Sequence, residues 1–274
     1  MKDWRNYQKK IEQNISTFID QWQGPAPLKE ACAYSLQVGG KRFRPLLVYL
    51  VAQSLGDQDV SDVALAVELF HTASLIADDL PCMDNELLRR GKAALHNKFN
   101  EATALLATYA LIASGYDCLQ KNSKGLPPHV LGLAIASVAK NTGGGGATGG
   151  QYWDLFSPKE HMEQMIAQKT GALFELSFVL GWLYGGGEVA LLPWVEKAAY
   201  HFGMAFQIHD DILDMEQDAP ERNYACCFGK QSAQQRVTRE LEQFDQCLAL
   251  LPPVFKKIRF LLEPAPLLQP SLSS

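Results

Sequence analysis

The sequence predicts an all-α fold, and three observations carry that prediction. Ala, Leu, Gln and Glu dominate, and apolar residues recur at steps of three and four. Runs that alternate apolar and polar residues, the mark of half-buried strands, are scarce. Breaks in the helical pattern coincide with glycine and proline. With 47% apolar residues among 274, the chain can fill a substantial core. That excludes a disordered or collagen-like chain.

In chain order, the first residues, MKDWRNYQKKIEQNISTFID, have no apolar central run and do not form a secretory leader. Breaks follow at Gln23–Pro27, Gly39–Gly40, Gly125–Pro128, Gly185–Gly187 and Leu251–Pro253. Between them, Leu46–Ala52 and Leu176–Tyr184 are apolar enough for core helices, and Val60–Ala77 carries Val63, Val67, Phe70 and Leu75 at helical spacing. The breaks are short and evenly spread, so one domain is expected over 1–262, with the Pro/Ser-rich stretch 263–274 a disordered tail. Asn141–Gly150 is glycine-rich but lacks the Gly-Lys-Ser/Thr ending of a phosphate loop. It reads as a bend or a close helix approach. No apolar run is expected to cross a bilayer.

A net charge of −5 without a basic run argues against broad nucleic-acid binding, while local clusters can still take anionic substrates. The six cysteines show no CxxC and no zinc spacing, and Cys226–Cys227 are adjacent. A reducing, cytoplasmic setting is expected.

Two acidic clusters stand out: Asp78-Asp79-Leu-Pro-Cys-Met-Asp84 and Asp210-Asp211-Ile-Leu-Asp214. Asp210 and Asp214 fall one helical turn apart on one face, with Asp211 at the same edge. Pro81 should end or kink the first helix, letting Asp84 fold back toward Asp78. Apolar neighbours suggest partial burial, where unpaired carboxylates are costly. Mg²⁺ would turn their repulsion into attraction and could bridge them to phosphates. Taken singly, each cluster could equally be a solvated helix face; two in apolar settings, with basic residues close by, favour a site. Lys41, Arg44, Arg89 and Arg90 offer groups that grip phosphate. His71 lies two turns before Asp78 on the same helical face. Lys169, Thr170 and Gln207 are weak signals alone.

Together these residues resemble the trans-isoprenyl diphosphate synthases, also called polyprenyl synthetases. Gly39-Gly-Lys-Arg-Phe-Arg-Pro45 is similar to the family's GGKRxRP, and Asp78–Asp84 followed by Arg89-Arg90-Gly91 to its first aspartate-rich motif. Gly150-Gln-Tyr-Trp-Asp154 resembles GQxxD, Lys169-Thr-Gly171 matches KTG, and Phe206–Asp214 matches the second aspartate-rich motif. The resemblance implies a helix bundle around a deep cavity, a homodimer, and head-to-tail condensation of an allylic diphosphate with isopentenyl diphosphate. By position, Asp78, Asp84 and Asp210, supported by Asp79, Asp211 and Asp214, would hold Mg²⁺. Arg89, Lys169, Thr170 and Gln207 would serve the allylic substrate; Lys41, Arg44, His71 and Arg90 would hold isopentenyl diphosphate. Chain length would follow Ala73 and Ser74, small where the family's fifteen-carbon enzymes are bulky, and Phe70 below them. Geranylgeranyl diphosphate is the expected product, farnesyl diphosphate the runner-up.

The chain departs from the pattern after Asp214. The family's lysine-bearing loop is missing, and Arg222 is a weak substitute for it. Thr108-Tyr109 stands where many members carry Gly-Asp. A non-catalytic partner subunit and a terpene cyclase of the same fold are the alternatives. The intact acidic clusters oppose the first and the Lys41/Arg44/Arg90 group opposes the second.

Overall fold

The computed structural model describes residues 2–252, so the expected tail at 263–274 lies outside the described residues. The chain is a helical assembly, as its pattern predicts. Helices α1 (Lys2–Gln21), α2 (Ala26–Gln37) and α3 (Phe43–Gln53) lead into α4 (Ser61–Asp78). A short hairpin, β1 (Leu88–Arg89) and β2 (Lys92–Ala93), precedes α5 (Leu95–Lys98) and α6 (Glu101–Asn122). Then come α7 (Pro128–Thr142), α8 (Ala147–Phe156) and α9 (Met162–Met165), which runs into a π-helical segment, Ile166–Gly171. Helices α10 (Ala172–Tyr184), α11 (Leu192–Leu213), α12 (Tyr224–Phe228) and α13 (Lys230–Ala249) complete the described chain.

The glycine and proline breaks separate helices where expected. Pro25 caps α2 and Pro127 caps α7, each with the fixed φ that suits a helix start. Gly146 and Gly150 sit where a side chain would run into backbone, so the 141–150 run is both a bend and a close helix approach. Helix α4 is central, packed against α1, α3, α6 and α10. Val63, Val67 and Phe70 are buried on it, and so is the polar Glu68, because neighbours cover nearly every side. A second apolar cluster joins α3, α10, α11 and α13 through Phe43, Phe174, Phe178 and Phe202. A third lies between α9, the π segment, α11 and α12, directly under the second acidic motif.

Two features differ from expectation. The hairpin was unforeseen; its two-residue turn, Arg90-Gly91, takes positive φ at both positions, the geometry that matches strand twist. Helix α6 is, by length and composition alone, apolar enough to cross a membrane, which corrects the expectation that no run qualifies. Its apolarity has a packing origin on one side, where Ala104, Ala107, Leu111 and Leu119 are buried in the core shared with α4. The other side exposes Leu105, Tyr109, Ile112 and Tyr116.

Candidate active site

The π segment is the platform of the site. Its hydrogen bonds span one residue more than an α-helix, which widens the turn carrying Lys169 and Thr170. Two helices cross it closely, each at a glycine. On α8, a β-carbon at Gly150 would collide with the Lys169 backbone; on α11, one at Gly203 would lie 2.8 Å from the Gly171 Cα. One turn beyond each glycine is a polar side chain that meets the platform. Lys169 Nζ donates to Asp154 Oδ2 at 2.5 Å, and the Thr170 hydroxyl donates to Gln207 Oε1 at 2.9 Å. Gly203→Ala should therefore push α11 off the platform and cost about 1–3 kcal/mol. The check is the thermal unfolding midpoint, which an open position would leave unchanged.

The first acidic motif is shaped by the end of α4. Past Asp79 the chain turns, and the Asp84 amide donates to the Asp78 carbonyl at 2.9 Å, the return that Pro81 predicts. The Asp78 carboxyl is pushed up to about 6, mainly by burial, with Lys169 opposing and Asp84 adding to the rise. Asp79 points elsewhere. It is buried and held by Arg89, whose Nε lies 3.0 Å from Oδ1 and whose Nη2 also donates. Asp79 and Arg89, assigned by resemblance to metal and to diphosphate, thus engage each other. Adjacent residues at a helix end diverge by about 100°, so Asp79 faces Arg89 of the hairpin while the Asp78 carboxyl feels the Lys169 charge. Asp84 meets Arg222 Nη1 at 3.0 Å and Lys169 Nζ at 3.7 Å.

The second motif closes α11. Burial raises both Asp210 and Asp214; the Asp214 and Asp218 charges add to the first shift and Asp218 to the second, while the Lys41 charge opposes both. Asp211 is committed to structure: it accepts from Gln207 Nε2 at 2.7 Å and from the Tyr224 amide at 2.8 Å. Burial still lifts it to about 6. A cavity of about 380 Å³ is bordered by Asp84 from the first motif and Asp211 from the second, with Lys169, Thr170, Gln207 and Arg222. Asp154 and Asp218 line it too, and sequence reading gave neither a role, while Arg222 was read only as a weak substitute for the missing lysine loop. For Arg222 the only signal was its being a basic group in the shortened segment.

Among the described residues, no three acidic, His or Cys side chains converge on one metal position. The donors still suit Mg²⁺, which is commonly held by one or two carboxylates plus substrate phosphates rather than by a protein cage. Asp78 with Asp84, and Asp210 with Asp214, are donor pairs of that kind. Because the folded protein holds protons on Asp78 and Asp211 up to about pH 6, metal-free stability declines as pH rises toward that value. A cation that requires ionised carboxylates should raise the unfolding temperature more at about pH 7.5 than at about pH 5. Equal shifts at both would contradict this.

A cationic cluster forms where the start of α3 meets α4 and the hairpin turn. Arg42 takes left-handed φ and turns inward, donating to Glu68 at 2.6 Å, Glu12 at 2.7 Å and the Leu36 carbonyl at 2.5 Å. Among the described residues Arg44, two residues on, makes no ion pair, though the Glu68 charge favours its charged form. Its Nη1 lies 3.4 Å from His71 Nε2 and its guanidinium 4.6 Å from the Phe174 ring centre. Burial pulls Arg44 down to about 10. Burial and the neighbouring Arg44, Arg90, Arg42 and Arg89 charges hold His71 neutral, well below its ordinary value. Arg44 Nε and His71 Nδ1 are buried with no hydrogen-bond partner among the described residues. Arg90 donates to the Gly39 carbonyl, tying the hairpin to the glycine loop that bears exposed Lys41. The structure so gathers the four basic residues singled out in the sequence, Lys41 lying toward the second acidic motif.

Of the residues expected to set chain length, Ala73 and Phe70 are buried, and Ser74 is half-buried with its hydroxyl on the His71 carbonyl at 2.9 Å. The Phe70 ring fits over Gly115, where a β-carbon would meet it at 2.6 Å, and packs edge-on to Tyr116.

The family model described as polyprenyl synthetase matches residues 25–227. The chain is 39% identical over 225 residues to the farnesyl diphosphate synthase of Geobacillus stearothermophilus, covering 79% of this chain and 76% of that one. It is 37% identical over 233 residues to the chloroplastic geranylgeranyl pyrophosphate synthase 3 of Arabidopsis thaliana, covering 80% of this chain but 65% of the plant protein. Its fold resembles the crystal structure of geranyltransferase from Legionella pneumophila, with TM-score 0.84, 30% identity and 95% coverage of both chains.

Proposed function

This chain belongs to the polyprenyl synthetase family, and from that premise we propose that it condenses isopentenyl diphosphate with an allylic diphosphate. The observation that carries the reading is the pairing of two unlike groupings, an acidic cavity and a buried cationic cluster. One combines both acidic motifs with Lys169; the other holds Arg44 and His71 with unpartnered buried donors. A reaction between two diphosphates needs one grip for the diphosphate that leaves and another for the one that stays.

Asp78 and Asp84 of the first motif and Asp210 and Asp214 of the second would hold magnesium, which would supply charge neutralisation for a departing diphosphate. Lys169 adds a fixed cation there. As the allylic C–O bond breaks, its electron pair leaves with the diphosphate oxygen and a delocalised cation remains. The Thr170 hydroxyl oxygen and Gln207 amide oxygen, held together at 2.9 Å, present partial negative charge to that cation. Arg44, His71, Arg90 and Lys41 hold isopentenyl diphosphate so that its double bond attacks the allylic carbon. The proton then lost passes to the released diphosphate, since His71 faces the wrong substrate and is surrounded by arginines.

Incubation with Mg²⁺, labelled isopentenyl diphosphate and each allylic primer tests the reading. Elongated diphosphates support it; cyclised hydrocarbons, or no product unless a second chain is added, reject it. The expected main product is geranylgeranyl diphosphate, with farnesyl diphosphate second. Ala73→Phe narrows the space one turn before Asp78 and should shorten the main product by at least one isoprene unit. An unchanged product would refute that position for the cavity floor. The functional form is a homodimer in a reducing, cytoplasmic setting. The exposed apolar stripe of α6 offers the face for a second copy, and all six cysteines are free thiols.

A further inference from the structure

Four side chains at the cavity form a closed ring of alternating charge. Arg222 Nη1 lies 3.0 Å from Asp84 Oδ1 and 3.5 Å from Asp154 Oδ2. Lys169 Nζ lies 2.5 Å from Asp154 Oδ2 and 3.7 Å from Asp84 Oδ2. The ring is lopsided. Lys169 is chiefly the partner of buried Asp154, so Asp84 depends on Arg222 for its near counter-charge. Asp84 is also the carboxylate of the first motif that lines the cavity.

Arg222 comes from a separate part of the chain, 138 positions along from Asp84. It ends a short 3₁₀ turn, Pro220–Arg222, none of whose residues is buried. The next residue is fixed. Asn223 is fully buried, and its Nδ2 donates to the Asp211 carbonyl at 2.8 Å and to Asp218 Oδ2 at 2.9 Å. Arg222 is thus a long, partly exposed side chain on an anchored stalk, touching both carboxylates through one guanidinium nitrogen. A guanidinium so placed can swing without any change in the fold, and the nearest acceptor for it in a filled cavity is a diphosphate oxygen.

We propose that Arg222 is a positioning residue with two alternating partners: it occupies Asp84 while the cavity is empty and transfers to the diphosphate when substrate arrives. This rests on the reading of the cavity as a diphosphate site. The two engagements act in opposite directions. On the free protein, Arg222 competes with a divalent cation for Asp84, so the cation alone binds weakly. With diphosphate present, the same guanidinium is released to the anion, and Asp84 becomes available at the same step. Arg222 therefore couples cation binding to diphosphate binding, and the short segment after Asp214 does this with one arginine.

Calorimetric titrations of the full chain test the proposal, first with Mg²⁺ alone and then with inorganic pyrophosphate at saturating Mg²⁺. In Arg222→Gln, Mg²⁺ alone should bind roughly three- to tenfold more tightly and pyrophosphate more weakly by a similar factor. Arg222→Lys, which keeps the charge but not the fork, should fall between, and serves alone should the glutamine variant not fold. A residue that merely braced the loop would move both affinities the same way or neither. Either outcome overturns the proposal. Should the wild-type protein elongate an allylic primer yet show no opposed shifts in the variant, only the role of Arg222 fails. Should the wild type bind no pyrophosphate at all, the reading of the cavity fails first.

Discussion

Asp78→Asn is expected to lower kcat by roughly 100- to 1,000-fold while making the metal-free protein more stable near neutral pH. The two effects share one cause. Asp78 ends α4 beside Lys169, and burial has already raised its carboxyl to about 6, so at neutral pH it holds a charge its surroundings disfavour. The amide keeps the shape and removes that charge, and with it one donor for magnesium. Linkage gives the sign: the wild type loses stability as pH climbs toward about 6, and the variant lacks that loss. Steady-state kinetics with saturating substrates and unfolding scans across pH check both parts. A variant that unfolds earlier at neutral pH would show that Asp78 is a structural anchor rather than a ligand held ready.

Glu68→Gln is expected to destabilise the fold by about 2–4 kcal/mol, which for a chain of this size lowers the unfolding midpoint by roughly ten degrees. The side chains of Glu68 and Arg42 are 3% and 2% exposed and 2.6 Å apart. Removing one partner leaves a guanidinium in the core. Glu12 still contacts it, but its side chain is 51% exposed, so solvent screens that pair and Glu12→Gln should cost less than about 1 kcal/mol. Arg44→Gln should do the reverse of Glu68→Gln: the midpoint stays near wild type while KM for isopentenyl diphosphate rises. Unfolding curves and Michaelis profiles of the three variants separate the roles. If Arg44→Gln unfolds the protein and Glu68→Gln does not, the division between structural and binding arginines in Lys41–Arg44 is wrong.

That division shows where the sequence is informative and where it is not. Lys41, Arg42 and Arg44 carry the same kind of charge, and nothing local tells which one turns into the core. The left-handed φ of Arg42 and the burial of Glu68, 26 residues away, decide it. Asp78 and Asp79 are likewise identical in type. Their different partners follow from where α4 stops, because one residue of rotation separates the cavity from the hairpin. Helices and their breaks were legible, since periodicity and Gly/Pro punctuation are local properties. The π segment was not: widening a turn by one residue leaves no residue-type signature, and it arises here where two glycines let α8 and α11 crowd the chain. Arg222 was visible as a basic residue but not as a partner of Asp84, because only tertiary packing joins them. The exposed side of α6 has no local mark either: helical spacing of apolar residues does not tell that Leu105, Tyr109, Ile112 and Tyr116 stay uncovered while Ala104 and Leu111 are buried.

In the proposed reaction both acidic motifs hold a single diphosphate through shared divalent cations. Crystals grown with Mn²⁺ and inorganic pyrophosphate, measured at the manganese edge, test it most directly. Anomalous peaks are expected on both sides of one pyrophosphate, with Asp78 and Asp84 on one flank and Asp210 on the other. Peaks confined to one motif, or pyrophosphate bound away from the cavity lined by Asp84 and Asp211, would contradict it.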